Sequence, residues 1–87
     1  MTKEQYNDFV QCLEIQITQA EMTIANIEGQ LGSLEHKLEI HRDRNEWSSY
    51  GAALDRMQAR LRDREYWKGR LQLSKATLAE ARKAKIQ

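Results

Sequence analysis

The sequence predicts an all-α fold in which two long helices form an antiparallel coiled-coil hairpin, expected to dimerise into a four-helix bundle. Three observations predict this fold. The 87 residues contain no proline and only four glycines, so the turn signals of a loop-rich or β-rich chain are missing. Apolar residues in the first half follow a coiled-coil repeat. The repeat then changes frame near residue 45, which requires the chain to turn.

The first helix is predicted over residues 3 to about 43. Eleven positions alternate spacings of three and four: Tyr6, Val10, Leu13, Ile17, Ala20, Ile24, Ile27, Leu31, Leu34, Leu38 and His41. This 3.5-residue repeat keeps one stripe facing a neighbouring helix. Glutamates occupy each e position between them, at Glu14, Glu21, Glu28 and Glu35. Such a row predicts a basic flank on the facing helix.

The turn is predicted over about residues 44–49. Continuing the first frame would place Asp55 and Arg62 in the core, whereas the apolar residues of the second half are offset by two positions. That offset rotates the stripe by about 200°, so one straight seam cannot continue. Asn45 suits a left-handed residue closing the first helix, and Ser48 or Ser49 suits the N-cap of the second. The alternative is one uninterrupted helix in a parallel dimer.

The second helix is predicted over about residues 50–85, within a single domain spanning 1–87. Its expected core positions are Trp47, Tyr50, Leu54, Met57, Leu61, Arg64, Trp67 or Lys68, Leu71, Lys75, Leu78, and Ala81 or Arg82. Basic residues intrude on this seam, where their long stems can cover apolar surface while their charges reach water. Gly29 and Gly32 interrupt the first helix. They indicate tolerated weak points of the helix, positions where the second helix approaches closely, or a kink after which Ser33 restarts the helix.

The charges divide between the two halves of the chain. Residues 1–46 carry four bases against nine acids, a net charge of −5, and residues 47–87 carry ten bases against four acids, a net charge of +6. We interpret this as attraction between paired helices. The alternative is that the basic helix contacts nucleic acid. Its candidate contacts are Arg60, Arg64, Lys68 and Arg70.

Apolar residues outside the seam predict a further contact. A solitary two-helix hairpin has a small core and is marginal in stability. The candidate protein-binding residues are Cys12, Ile15 and Met22 on the first helix with Tyr66, Trp67 and Leu73 on the second. They predict self-association as a dimer or docking of another protein. The alternative is scattered surface hydrophobes, which are normal.

No residue pattern predicts catalysis, a metal site or a cofactor. His36 and His41 are five residues apart, so they do not share a helix face as a metal pair would. Cys12 is the only cysteine, and it lies about 36 Å along one helix from the nearest histidine. We therefore expect a non-enzymatic protein-binding module such as an adaptor, an assembly chaperone or a small inhibitor. We expect it in a reducing cytoplasm and away from membranes.

Overall fold

The computed structural model describes the backbone of residues 2–86 and the side chains of residues 2–84. Met1 and Gln87, which the predicted domain includes, lie outside the described residues. Helix α1 spans Lys3–Asp43 and helix α2 spans Trp47–Ile86. The two helices pack against each other along a rod of 63 × 14 × 14 Å. The predicted all-α helical hairpin is therefore confirmed.

Helix α1 begins with a capping box. The Thr2 hydroxyl accepts a hydrogen bond from the Gln5 backbone N–H at 3.1 Å, and the Gln5 side-chain oxygen accepts from the Thr2 backbone N–H at 2.9 Å. Two backbone donors that the helix cannot satisfy internally are thus paired reciprocally. Glu4 in the first turn adds a favourable interaction with the helix dipole.

The turn consists of Arg44, Asn45 and Glu46, three residues instead of the predicted six. The Glu46 N–H donates to the His41 carbonyl at 2.8 Å, and the Asn45 N–H donates to the Arg42 carbonyl at 3.1 Å. These bonds form a Schellman motif, with Asn45 in the expected left-handed conformation at φ 56°. Because this motif completes the reversal, α2 already begins at Trp47. Ser48 and Ser49 lie inside α2, so the prediction that one of them caps it is wrong.

The core contribution of α1 matches the predicted stripe. Its buried residues are Leu13, Ala20, Ile24, Ile27, Leu31 and Leu34. The remaining members of the stripe are half-buried, including Tyr6 and His41 near the two ends. The Tyr6 hydroxyl donates to the Ala81 carbonyl on α2 at 3.2 Å, which ties the start of α1 to the end of α2.

The seam of α2 differs from the prediction in its frame. Buried or half-buried residues recur at alternating spacings of three and four: Tyr50, Ala53, Met57, Arg60, Arg64, Trp67, Leu71, Ser74, Leu78 and Ala81. Trp47, Leu54 and Lys75 are exposed, so their assignment to the core is wrong. At these positions the prediction took the longer of two neighbouring side chains, Leu54 in place of Ala53 and Lys75 in place of Ser74. One residue of error rotates a side chain by about 100° on a helix.

The glycines of α1 do not shape the hairpin. The helix passes through Gly29 and Gly32 without a break, so it is not divided in two. A Cβ atom built at either position has no heavy atom within 4 Å. The interpretation that they admit a close approach of α2 is therefore wrong.

Candidate protein-interaction surfaces

The apolar residues on the back of α1 lie opposite the seam. Ile15 and Met22 are one heptad apart at position f, which points directly away from α2. Met22 is 63% exposed and Ile15 is also exposed. The thiol of Cys12, one turn before Ile15, is free and exposed. These three residues, named the α1 stripe below, form one outward-facing surface.

The candidates on α2 do not share that surface. Tyr66 and Leu73, one heptad apart, project from the outer side of α2, and Leu73 is 68% exposed. Trp67 lies half-buried in the seam. Its ring meets that of Tyr66 edge-on, with 5.7 Å between the ring centroids. The structure thus places Tyr66 and Leu73 on the outer side of α2, away from the α1 stripe. Trp67 lies in the seam, although its ring stays in contact with that of Tyr66.

A second aromatic site at the turn was missed by sequence reasoning. Trp47, the first residue of α2, is 58% exposed. Its ring packs edge-on against that of Tyr50, with 5.5 Å between centroids. Sequence reasoning had placed Trp47 in the seam because its spacing from Tyr50 fits the repeat. An exposed indole beside a tight turn is typical of a contact site, since Trp is enriched at protein interfaces.

The four basic candidates do not converge on one surface. Arg60 and Arg64 lie half-buried in the seam, and the Arg64 Nε atom is buried with no hydrogen-bond partner among the described residues. Arg70 donates to the Tyr66 hydroxyl at 3.1 Å, and its guanidinium carbon lies 5.9 Å from the ring centroids of Tyr66 and Trp67. Lys68, two residues earlier, falls on the opposite flank of the seam.

The flank that carries the glutamates of α1 pairs acids with bases. Counted from the observed seam, Lys68, Lys75 and Arg82 occupy the facing e positions of α2. One pair closes to ion-pair distance, with 3.2 Å between Glu14 Oε1 and Arg82 Nη2. Both side chains are more than half exposed, so the pair contributes little stability. The e flank is thus the side on which the opposite charges of the two helices meet.

The other flank, at the g positions, holds two adjoining open grooves of about 770 and 420 Å³. Leu34, Lys37 and Arg56 line both grooves, and Arg60 lines the larger one. No acidic side chain lines either groove. Lys37 and Arg56 make no ion pair or hydrogen bond with any side chain of residues 2–84. We name these two spaces together the basic groove.

No cluster of metal ligands is assembled in the part of the chain described. Among these residues no group of three or more His, Cys, Asp or Glu side chains converges as metal ligands would. Neither described helix combines the length and apolar character needed to cross a membrane. The surfaces above are therefore the features from which a function can be argued.

Comparison with known proteins found no family model, no curated protein and no solved structure that matches the chain.

Proposed function

We propose that this chain is a non-enzymatic protein-binding module, acting as an adaptor, an assembly chaperone or a small inhibitor. The observation that carries the proposal is the incomplete core. The chain exposes 6613 Å², whereas a compact protein of 10.2 kDa exposes roughly 5,300 Å². No described side chain of the hairpin is fully buried.

The excess surface is larger than the area that one standard interface would cover on this chain. It amounts to about 1,300 Å², and each partner of a standard protein complex buries about 800 Å². Exposed apolar side chains on both helices supply the required chemistry, with Met22 and Leu73 the most exposed. Burying such side chains against a partner is favourable by about 25 cal/mol per Å².

The partner we propose first is a second copy of the chain. Two hairpins that bring their α1 stripes together would bury Ile15 and Met22 of each copy between the two α1 helices. Because position f points away from α2, each α2 would lie on the outside of this dimer, so its four helices would form one layer and not the predicted four-helix bundle. Docking of a different protein on the same stripe is the other form of this proposal, with Tyr66 and Leu73 as a separate contact. The exposed thiol of Cys12 suits a reducing compartment, and we propose the cytoplasm.

The test is a double substitution, Ile15→Glu with Met22→Glu. The control is Gln72→Glu with Ala79→Glu, which adds the same charge at the same heptad spacing on an exposed side of α2. We expect both variants to keep the helicity of the unaltered chain, measured by circular dichroism. Sedimentation equilibrium should show a dimer for the control and a monomer for the stripe variant. Equal association of both variants would show that the α1 stripe is not the contact surface.

Nucleic-acid association is the alternative function. The basic second half supports it, as does the guanidinium of Arg70 over the rings of Tyr66 and Trp67, since bases stack on such groups. The separation of Arg60, Arg64, Lys68 and Arg70 weakens it. A filter-binding titration of single-stranded and duplex DNA and RNA at about 50 mM salt decides, because phosphate-driven binding is strongest at low salt. No retention under these conditions would remove this alternative.

A further inference from the structure

The half of the hairpin nearest the turn carries opposite charges on its two flanks. On the g flank, the basic groove presents Lys37 and Arg56 without acidic partners. Glu35 lies on the e flank at heptad position e, and Glu39 lies one turn later beside that flank at position b. Neither glutamate forms an ion pair with any residue in the range 2–84. Each flank therefore carries charge that the hairpin itself does not neutralise.

The leftover acids have a local cause. By heptad position, Glu14, Glu21 and Glu28 lie opposite the bases Arg82, Lys75 and Lys68 on the e flank, and the first of these pairs closes to 3.2 Å. The corresponding position opposite Glu35 is Leu61, which offers no charge. Leu54, one heptad before Leu61, adds exposed apolar surface to the same flank. Glu35, Glu39 and Leu54 together form an acidic edge with an apolar side, and Arg42 at the next e position is paired with Asp43 at 3.7 Å.

The basic groove has the complementary chemistry. Its lining includes the apolar residues Leu34 and Ala59, and Gly29 leaves open space where a side chain would stand. Along α1 it extends from Asn26 to His41, about 22 Å at 1.5 Å per residue. A helix edge of three to four turns fits this length.

We propose that the basic groove receives the acidic edge of a second copy of this chain, with Glu35 and Glu39 of one copy facing Lys37 and Arg56 of the next. The contact uses a surface distinct from the α1 stripe, so it goes beyond the proposed function. Because the groove and the edge lie on opposite flanks, the contact is heterologous. Each added copy leaves one groove and one edge free, so the copies assemble side by side into a row or a ring.

A charge-swap experiment tests this pairing directly. One variant carries Lys37→Glu with Arg56→Glu, and the other carries Glu35→Lys with Glu39→Lys. All four side chains are exposed, so circular dichroism should show unchanged helicity. In each variant alone the groove and the edge carry the same charge, and we expect association to weaken at least about tenfold. In an equimolar mixture every contact can again join opposite charges, so association should return.

The measurement is sedimentation velocity at about 50 mM and about 500 mM salt. The groove contact is electrostatic, so in the unaltered chain it should appear at low salt and disappear at high salt. A dimer formed through the α1 stripe is apolar, so it should persist at high salt and in both charge variants. The experiment can therefore contradict the groove contact and the α1-stripe contact independently of each other.

Three outcomes overturn the proposal. The first is an unaltered chain with no salt-sensitive species. The second is a charge variant that assembles as the unaltered chain does, and the third is a mixture that assembles no better than its components. If the first outcome is found, the unaltered chain is tested for binding of a poly-glutamate peptide. Binding of this peptide would indicate that the groove receives an acidic segment of another protein. Retention of an oligonucleotide would indicate phosphate.

Discussion

Ala53 and Leu54 are neighbours on α2, yet the smaller side chain is the buried one: Ala53 is 7% exposed and Leu54 is 37% exposed. The seam passes through Ala53 because it lies three residues after Tyr50 and four before Met57. Leu54 lies one position further around the helix, at the edge of the seam.

This geometry predicts unequal costs for two leucines of α2. Leu54→Ala should lower the free energy of unfolding by at most about 1 kcal/mol, because the side chain already contacts water. Leu78→Ala removes a buried side chain and should cost about 2–5 kcal/mol. Urea denaturation followed by circular dichroism measures both values. An equal loss of unfolding free energy in the two variants would contradict the placement of Leu54 at the edge of the seam.

Arg64 should destabilise the hairpin. Its Nε–H group is buried and donates to no acceptor among the described side chains or backbone, and leaving such a donor unpaired costs about 1–3 kcal/mol. Arg64→Leu should therefore raise the free energy of unfolding by an amount of this order. Arg62→Leu is the control, because Arg62 is exposed and such changes stay within about 0.5 kcal/mol. A loss of stability in the Arg64 variant would show that the guanidinium makes a needed contact.

Gly29→Ala should stabilise the isolated hairpin by about 1 kcal/mol. Alanine has the higher helix propensity, and the added Cβ meets no atom within 4 Å. The reverse substitution, Ala25→Gly at an exposed position one turn earlier, should lower stability by a similar amount. Thermal unfolding at a fixed chain concentration compares the three proteins. If Gly29→Ala lowers the melting temperature, the glycine has a role inside the hairpin.

Asn45 should tolerate glycine better than alanine. Its φ of 56° lies in the left-handed region, which costs most residues about 1–2 kcal/mol. Asn45→Ala should therefore reduce the free energy of unfolding by about 1 kcal/mol, and Asn45→Gly should leave it equal or higher. Chemical denaturation gives the difference between the two variants. Equal stability would mean that the turn relaxes to another conformation.

Sequence reasoning predicted α1 well because its stripe from Val10 to Leu38 is made of apolar residues, all of them large except Ala20, so size and spacing agree. On α2 the two signals conflict, since Arg60, Arg64 and Ser74 lie at seam positions while Leu54 and Leu73 do not. Only the pairing with α1 decides which side of α2 is buried. Tertiary contact therefore overrides the local pattern there.

The surfaces were predictable to different extents. Ile15, Met22, Tyr66 and Leu73 were identified from their positions off the seam, and the structure leaves them exposed. The basic groove was not predicted, because it depends on which bases of α2 lie beside Lys37. That arrangement follows from the frame through Ala53, which hydrophobicity alone did not reveal.

The three-residue turn also determines how the rod responds to a mechanical load. The first turn of α1 and the last turns of α2 lie at the same end, where the Tyr6 hydroxyl bonds to Ala81 and Glu14 meets Arg82. A force pulling these ends apart acts across the seam, so contacts open one at a time from that end toward Asn45. Such unzipping loads only a few contacts at a time, and the intact turn keeps the two helices close enough to pair again.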